Sequence, residues 1–186
     1  MSHRAEQLQS SADEQISTLI ELLSSTDDEA LHRPCPGREK LGDGTIGAIA
    51  AHTAQNYERI AEFVATGESM SSRQGHGQQR QHRVPALLRA LGHTSPERSK
   101  AGPAGHRNGF TADSVDPKLI VERLATARAE LGLIAQLTDQ QLDRVPPKDS
   151  FRFCDGERTL EQVLTGLLKH QDRQVQAVRE ALARTP

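Results

Sequence analysis

The sequence predicts an all-α protein, a four-helix bundle formed by a single domain of 186 residues. Apolar residues recur at helical spacing in four separate segments, and stretches rich in Pro and Gly or poor in periodicity divide these segments. Aromatic residues make up 3% of the chain and Trp is absent. The core must therefore consist mainly of Leu, Ile, Val and Ala, which favours helix packing over a β-sandwich. The length suffices for one core, so we expect one domain over residues 1–186.

The first half of the chain predicts two helices separated by a loop. Residues 5–24 carry an amphipathic stripe and predict the first helix. Residues 26–44 contain two Pro and three Gly, which indicates a loop. Thr45 is a candidate N-cap for the second helix, which extends to about residue 66. His52 lies at the edge of the apolar stripe of this helix.

The second half predicts two further helices. Asp116 and Pro117 form an N-cap and first helical position, and the third helix continues to about Leu137. The fourth helix covers residues 159–182 and begins with a capping box formed by Thr159 and Gln162. Its apolar stripe contains three polar residues: His170, Gln171 and Gln174. The imidazole of His170 is expected to lean toward the buried side.

Residues 67–115 lack helical periodicity and are expected to form a long, partly irregular crossover between helices two and three. The segment carries seven Lys and Arg against three Asp and Glu, a net charge of +4. A crossover of bundle length joins helices that start from the same end, which predicts the order up-down-down-up. Helices two and four are then antiparallel, and His52 lies at the height of His170 and Gln174.

An internal similarity supports this architecture. Residues 23–27 and residues 135–139 each precede a loop with an Asp-Gly pair and a Thr-capped helix, so each half is helix, loop, helix. Cys35 and Cys154 occupy the corresponding loops. These loops lie at opposite ends of an up-down-down-up bundle, so we expect inert thiols without a disulfide, in keeping with a reducing compartment.

Composition also limits the choice of partners. The formal net charge of −2 argues against a protein whose whole surface attracts nucleic acid. The basic crossover leaves a local nucleic-acid contact open, although a solvated segment is the favoured interpretation. No apolar h-region and no apolar run of about 18 residues is present, so we expect no membrane span and a cytoplasmic location.

Two motifs resemble the DinB-like superfamily, which includes mycothiol- and bacillithiol-dependent transferases and isomerases. They are residues 44–52 followed by Tyr57, and residues 159–164 followed by residues 169–176. Family members place one metal-binding His in helix two and a His-x-x-x-His pair in helix four. The resemblance therefore implies His52, His170 and Gln174 at the three metal positions. It further implies a divalent metal such as Zn or Ni, a low-molecular-weight thiol, a small-molecule electrophile and a homodimer.

Gln174 departs from the family pattern. A carboxamide oxygen is a much weaker ligand than imidazole for first-row metals. The site then binds metal weakly, recruits a His from the crossover, or binds none; the crossover offers His76, His82, His93 and His106. Two functions follow from these alternatives: a metal-dependent thiol transferase or isomerase, and a non-catalytic binding or stress-response protein that has lost the metal site. The sequence leaves open whether the protein is an enzyme.

Overall fold

The chain is all-α in the part that the structure, a computed structural model, describes, namely residues 2–71 and 110–184. These two ranges contain helices and no strand. The predicted crossover falls mostly on residues outside them. In chain order the α-helices are α1 (His3–Ser24), α2 (Asp28–Leu31), α3 (Ile46–Ser71), α4 (Pro117–Leu131), α5 (Asp139–Leu142) and α6 (Leu160–Ala183).

The predicted helix starts are confirmed by their hydrogen bonds. Thr159 Oγ1 accepts from the Gln162 backbone N–H at 3.3 Å, and Gln162 Oε1 accepts from the Thr159 N–H at 3.0 Å. Asp116 Oδ1 accepts from the Lys118 N–H at 2.9 Å. Side chains thus satisfy backbone donors that the first turn of each helix leaves without an intrahelical partner.

Two predicted helix ends and the predicted loops need correction. Helix α3 continues to Ser71, past the predicted end near residue 66, because a single Gly inside a helix costs only about 1 kcal/mol relative to Ala and need not end it. The third predicted helix is α-helical only to Leu131, and its last part tightens into a 3-10 helix, Gly132–Gln136. The loop regions also contain the one-turn helices α2 and α5.

The internal similarity of the two halves extends to the backbone. Helices α2 and α5 are each one turn long and each begins with a side-chain cap, from Asp27 and Thr138 respectively. After α2 the carbonyl of Arg33 accepts from the first N–H of α3, at 3.0 Å. After α5 the carbonyl of Arg144 accepts from the first N–H of α6, at 2.7 Å. In both halves, therefore, the loop before the helix accepts a hydrogen bond from the first residue of that helix.

The four longest helices of the described ranges, α1, α3, α4 and α6, pack against one another. Helix α1 packs against α4 and α6, and α3 packs against the same two helices. The buried cluster is mainly Leu, Ile, Val and Ala, as the composition predicts. Tyr57 is fully buried in α3, and its hydroxyl donates to Gln15 Oε1 of α1 at 2.8 Å. Within the described ranges, no helix is both long enough and apolar enough to span a membrane.

Candidate functional site

A pocket of about 1030 Å³ lies between α3, α6 and the loops that precede these two helices. His52 of α3 and His170 of α6 both line it. The packing of α3 against α6 brings these two residues together although they are far apart in sequence. Residues of the loop before α6 also line the pocket: Phe151, Arg152 and Phe153.

His52 is buried, with 5% of its surface exposed. The Asn56 side-chain amide donates from Nδ2 to His52 Nε2 at 3.0 Å. Nε2 is therefore an acceptor, and the neutral ring carries its proton on Nδ1. Burial, together with the nearby His170, Arg152 and Arg59, lowers the pKa of His52 to about 4. The imidazole is consequently neutral at pH 7.

His170 is half-buried on the facing helix. Burial lowers its pKa, and the charges of Arg152, Arg38 and Arg173 lower it further. Its Nε2 is enclosed and has no hydrogen-bond partner among the residues that the structure describes. The Phe153 ring meets the imidazole edge-on, with 6.4 Å between ring centroids. His170 therefore lines the pocket with a neutral imidazole whose enclosed Nε2 is unsatisfied among the described residues.

Gln171 is a pocket residue that the sequence prediction did not single out. It is 1% exposed and lines the pocket, and its Oε1 has no hydrogen-bond partner within the described ranges. A polar residue within the apolar stripe of α6 was the available signal. An enclosed amide oxygen without a donor is costly, so this atom marks a place for a ligand donor or a water.

Gln174, the third residue of the predicted metal set, is placed differently. It is 3% exposed, and its Oε1 also lacks a partner among the described residues. It is not one of the described residues that line the pocket. The structure thus brings His52 and His170 to one pocket, whereas Gln174 is buried one helical turn beyond His170 without lining that pocket.

Basic side chains dominate the charge around the pocket. Lys40, Arg59 and Arg152 line it, against the carboxylate of Glu39. Glu39 Oε1 accepts from the Gly37 backbone N–H at 2.8 Å, an interaction that stabilises its charged form. Of the charged residues described in the lining, three are therefore basic and one is acidic, a net charge of +2.

A left-handed backbone shapes the aromatic wall of the pocket. Phe153 has a φ of 74°, which is uncommon for a residue with a bulky side chain. The Arg152 guanidinium lies 5.2 Å from the centroid of the Phe153 ring, a cation–π contact. Phe151 stacks on Phe63 of α3 with 4.6 Å between centroids. The loop before α6 is thereby held against α3 and alongside His170.

The described donors do not make up a zinc site. Protein zinc sites use at least three His, Cys, Asp or Glu ligands. No group of three such side chains in residues 2–71 and 110–184 is arranged to hold a metal ion. In addition, the Nε2 of His52 already accepts from Asn56. The four crossover histidines that the sequence offered as recruits lie outside the described residues.

The two cysteines are free and buried. Burial raises the pKa of the Cys35 thiol, which disfavours the thiolate that a nucleophile requires. Neither residue lines the pocket among its described residues.

Comparison with known proteins gives no match: no protein-family model, no curated protein and no solved structure matches the chain. The resemblance to the DinB-like superfamily accordingly stays a prediction from the motifs.

Proposed function

We propose that this chain is a DinB-like four-helix bundle whose pocket between α3 and α6 binds a small molecule without a resident metal. This is the non-catalytic binding function among the two that the sequence left open. The observation that carries it is the pairing of a large pocket with the enclosed, unpartnered His170 Nε2 and Gln171 Oε1. Concave sites that bind small molecules combine apolar walls with a few such polar groups.

The proposal includes the up-down-down-up order of the long helices. Arg4, at the start of α1, donates to Glu161, at the start of α6, with 3.0 Å between Nε and Oε1. Arg33, which follows α1 and α2, donates to the carbonyl of Arg184, just after α6, at 3.3 Å. Corresponding ends of α1 and α6 therefore lie together, which supports a parallel pair of outer helices.

A ligand-observed NMR screen of a fragment library tests the binding function. We expect compounds that compete for one site in the wild type and bind more weakly to His170→Trp, whose larger side chain narrows the pocket beside Gln171. Lys169→Trp is the matched control, since Lys169 is the exposed neighbour on α6 and does not line this pocket among the described residues. Undiminished binding to His170→Trp, or no binding to the wild type, would contradict the proposal.

A metal-dependent low-molecular-weight thiol transferase or isomerase is the second candidate. It is favoured by one observation: His52 and His170 line the same pocket, and their lowered pKa values keep both imidazoles neutral. Neutral imidazole is the form that binds metal. Zn titration by calorimetry tests this candidate. His52→Ala removes one candidate ligand, and Gln174→His supplies a third imidazole. Tight binding to the wild type that His52→Ala abolishes would favour the enzyme.

The remaining expectations stay part of the proposal: a homodimer in the cytoplasm, with a small molecule as partner and no nucleic acid. Analytical ultracentrifugation at several protein concentrations tests the dimer. If the protein binds DNA and this binding falls steeply with salt, a nucleic-acid partner would be indicated, which contradicts the expectation.

A further inference from the structure

The charge at the pocket indicates what kind of molecule enters it. Lys40, Arg59 and Arg152 contribute three positive charges and Glu39 one negative charge. All four residues are exposed, so their charged groups remain hydrated at the mouth of the pocket. Guanidinium groups form short, charge-assisted hydrogen bonds with carboxylates. An anion is therefore favoured over a neutral or cationic ligand.

The enclosed polar atoms set a second requirement. Gln171 Oε1 can only accept, so the group that satisfies it must donate a hydrogen bond. His170 Nε2 accepts or donates according to the tautomer of the neutral ring. An ammonium group would satisfy Gln171 but would be repelled by the surrounding Lys and Arg side chains. A hydroxyl can donate to Gln171 Oε1 and can either accept from or donate to His170 Nε2, depending on the tautomer, without adding positive charge.

The walls set a third requirement. Phe151 and Phe153 line the pocket on the loop side, and Ile60 and Leu167 line it from α3 and α6. These apolar side chains favour a flat or apolar body between the charged and the hydroxyl ends of the ligand.

We infer that the ligand is a small organic acid whose carboxylate binds the basic side chains Arg59, Arg152 and Lys40 and whose hydroxyl bonds to Gln171 and His170. The inference rests on the proposed binding function and specifies its ligand class.

Four related probes separate the requirements: para-hydroxyphenylacetate, its neutral amide para-hydroxyphenylacetamide, the cation tyramine, and phenylacetate, which lacks the hydroxyl. Dissociation constants come from NMR titrations of isotope-labelled protein. We expect para-hydroxyphenylacetate to bind most tightly. Removal of the carboxylate charge weakens binding about tenfold, and removal of the hydroxyl weakens it about fivefold, in line with charged and neutral hydrogen bonds.

Variants assign each preference to its residue. Arg152→Met is expected to lower the affinity for the acid about tenfold and to leave the affinity for the amide unchanged. Lys118→Met, at an exposed position of α4 that is not part of the described lining, is the matched charge control. Gln171→Leu is expected to reduce the advantage of the hydroxyl to what its bond with His170 contributes, so that phenylacetate and para-hydroxyphenylacetate bind with more similar affinities.

The outcomes distinguish this inference from the binding function beneath it. If the amide or tyramine binds as tightly as the acid, the proposed ligand class is wrong, although binding in the pocket is still supported. An acid preference that survives Arg152→Met and Arg59→Met together also overturns it. If none of the four probes shifts pocket signals, the inference fails. The fragment screen with His170→Trp then decides the binding function separately.

Discussion

Two buried glutamines on α6 differ in what surrounds them. Gln171 and Gln174 are both almost fully enclosed, and both have an amide oxygen without a partner in the described part of the chain. Such a group lowers stability by about 1 to 3 kcal/mol. Gln171 lines the pocket, where a ligand can satisfy it, whereas Gln174 does not line it. The cost at Gln171 is therefore one that ligand binding can offset.

Replacing Gln174 with Leu tests this difference. We expect Gln174→Leu to raise the free energy of unfolding by about 1 kcal/mol, because it removes an unsatisfied amide and keeps a similar volume. Urea unfolding followed by circular dichroism measures the change. Gln176→Leu is the control, since Gln176 is half-buried and hydrogen-bonded to Asp172 and Arg179. A loss of stability in Gln174→Leu larger than in Gln176→Leu would show that the Gln174 amide has a stabilising partner.

The lowered pKa of His52 predicts a pH dependence of stability. The folded protein holds this pKa near 4, while an unfolded imidazole titrates near its ordinary value of 6.5. Between these values the unfolded state binds more protons, so stability is complete above pH 6.5 and falls as the pH drops toward 4. We expect a loss on the order of 2 kcal/mol across this window, after allowance for solvent screening.

Urea unfolding at several pH values measures this loss, and His52→Gln should flatten the curve. His32→Gln is the contrasting variant, because hydrogen bonds to Asp28 and Asp113 raise the pKa of His32. A raised pKa contributes stability at low pH that is lost as the pH rises, so this variant should steepen the acid loss. An unchanged curve in His52→Gln would show that the imidazole is not neutral in the folded protein.

At the scale of single elements, the helix starts were predictable from sequence because their signals are local. Thr159 and Gln162 stand three residues apart, and their side chains bond to each other's backbone whatever the rest of the chain does. The one-turn helices α2 and α5 were missed, since four residues are too few to show a helical period. The end of α4 was also misplaced, because a 3-10 segment continues the apolar pattern beyond Leu131.

The capping box predicts the cost of losing one side chain. Thr159→Ala leaves the N–H of Gln162 without its cap and should lower the free energy of unfolding by about 1 kcal/mol. Thr165→Ala, in the interior of α6, is the matched control and should leave stability nearly unchanged or raise it slightly, since Ala is the better helix former. Thermal unfolding measures both. Equal effects of the two variants would contradict a capping role for Thr159.

Only part of the candidate site could be read from sequence. His52 and His170 were accessible because each belongs to a regular helix with a recognisable motif. Arg152 lines the pocket beside Phe153, whose left-handed backbone is a loop conformation for which a Phe gives no sequence signal. The hydrogen bond from Asn56 to His52 Nε2 was also not predictable, because two residues four apart on a helix are neighbours but do not always bond to each other.

At the scale of the whole molecule, the up-down-down-up order predicts distances between helix ends. Spin labels at Glu21→Cys and Glu180→Cys should be closer than labels at Glu21→Cys and Glu157→Cys, because the proposed order makes α1 and α6 parallel. Glu180 lies near the end of α6 and Glu157 lies three residues before its start, so the length of the helix, about 30 Å from Leu160 to Glu180 at 1.5 Å per residue, separates the two positions. Pulsed electron resonance measures both pairs, and the native cysteines are buried and free. The reverse ranking would contradict the order.

The proposed function requires that the pocket of His52 and His170 binds its ligand without a resident metal. Elemental mass spectrometry of protein purified without an affinity tag or chelator tests it most directly, on wild type and His52→Ala in parallel. We predict far less than one equivalent of Zn, Ni or Mn per chain in the wild type, and the same value in the variant. About one metal ion per chain in the wild type that disappears in His52→Ala would contradict this proposal and favour the metal-dependent enzyme.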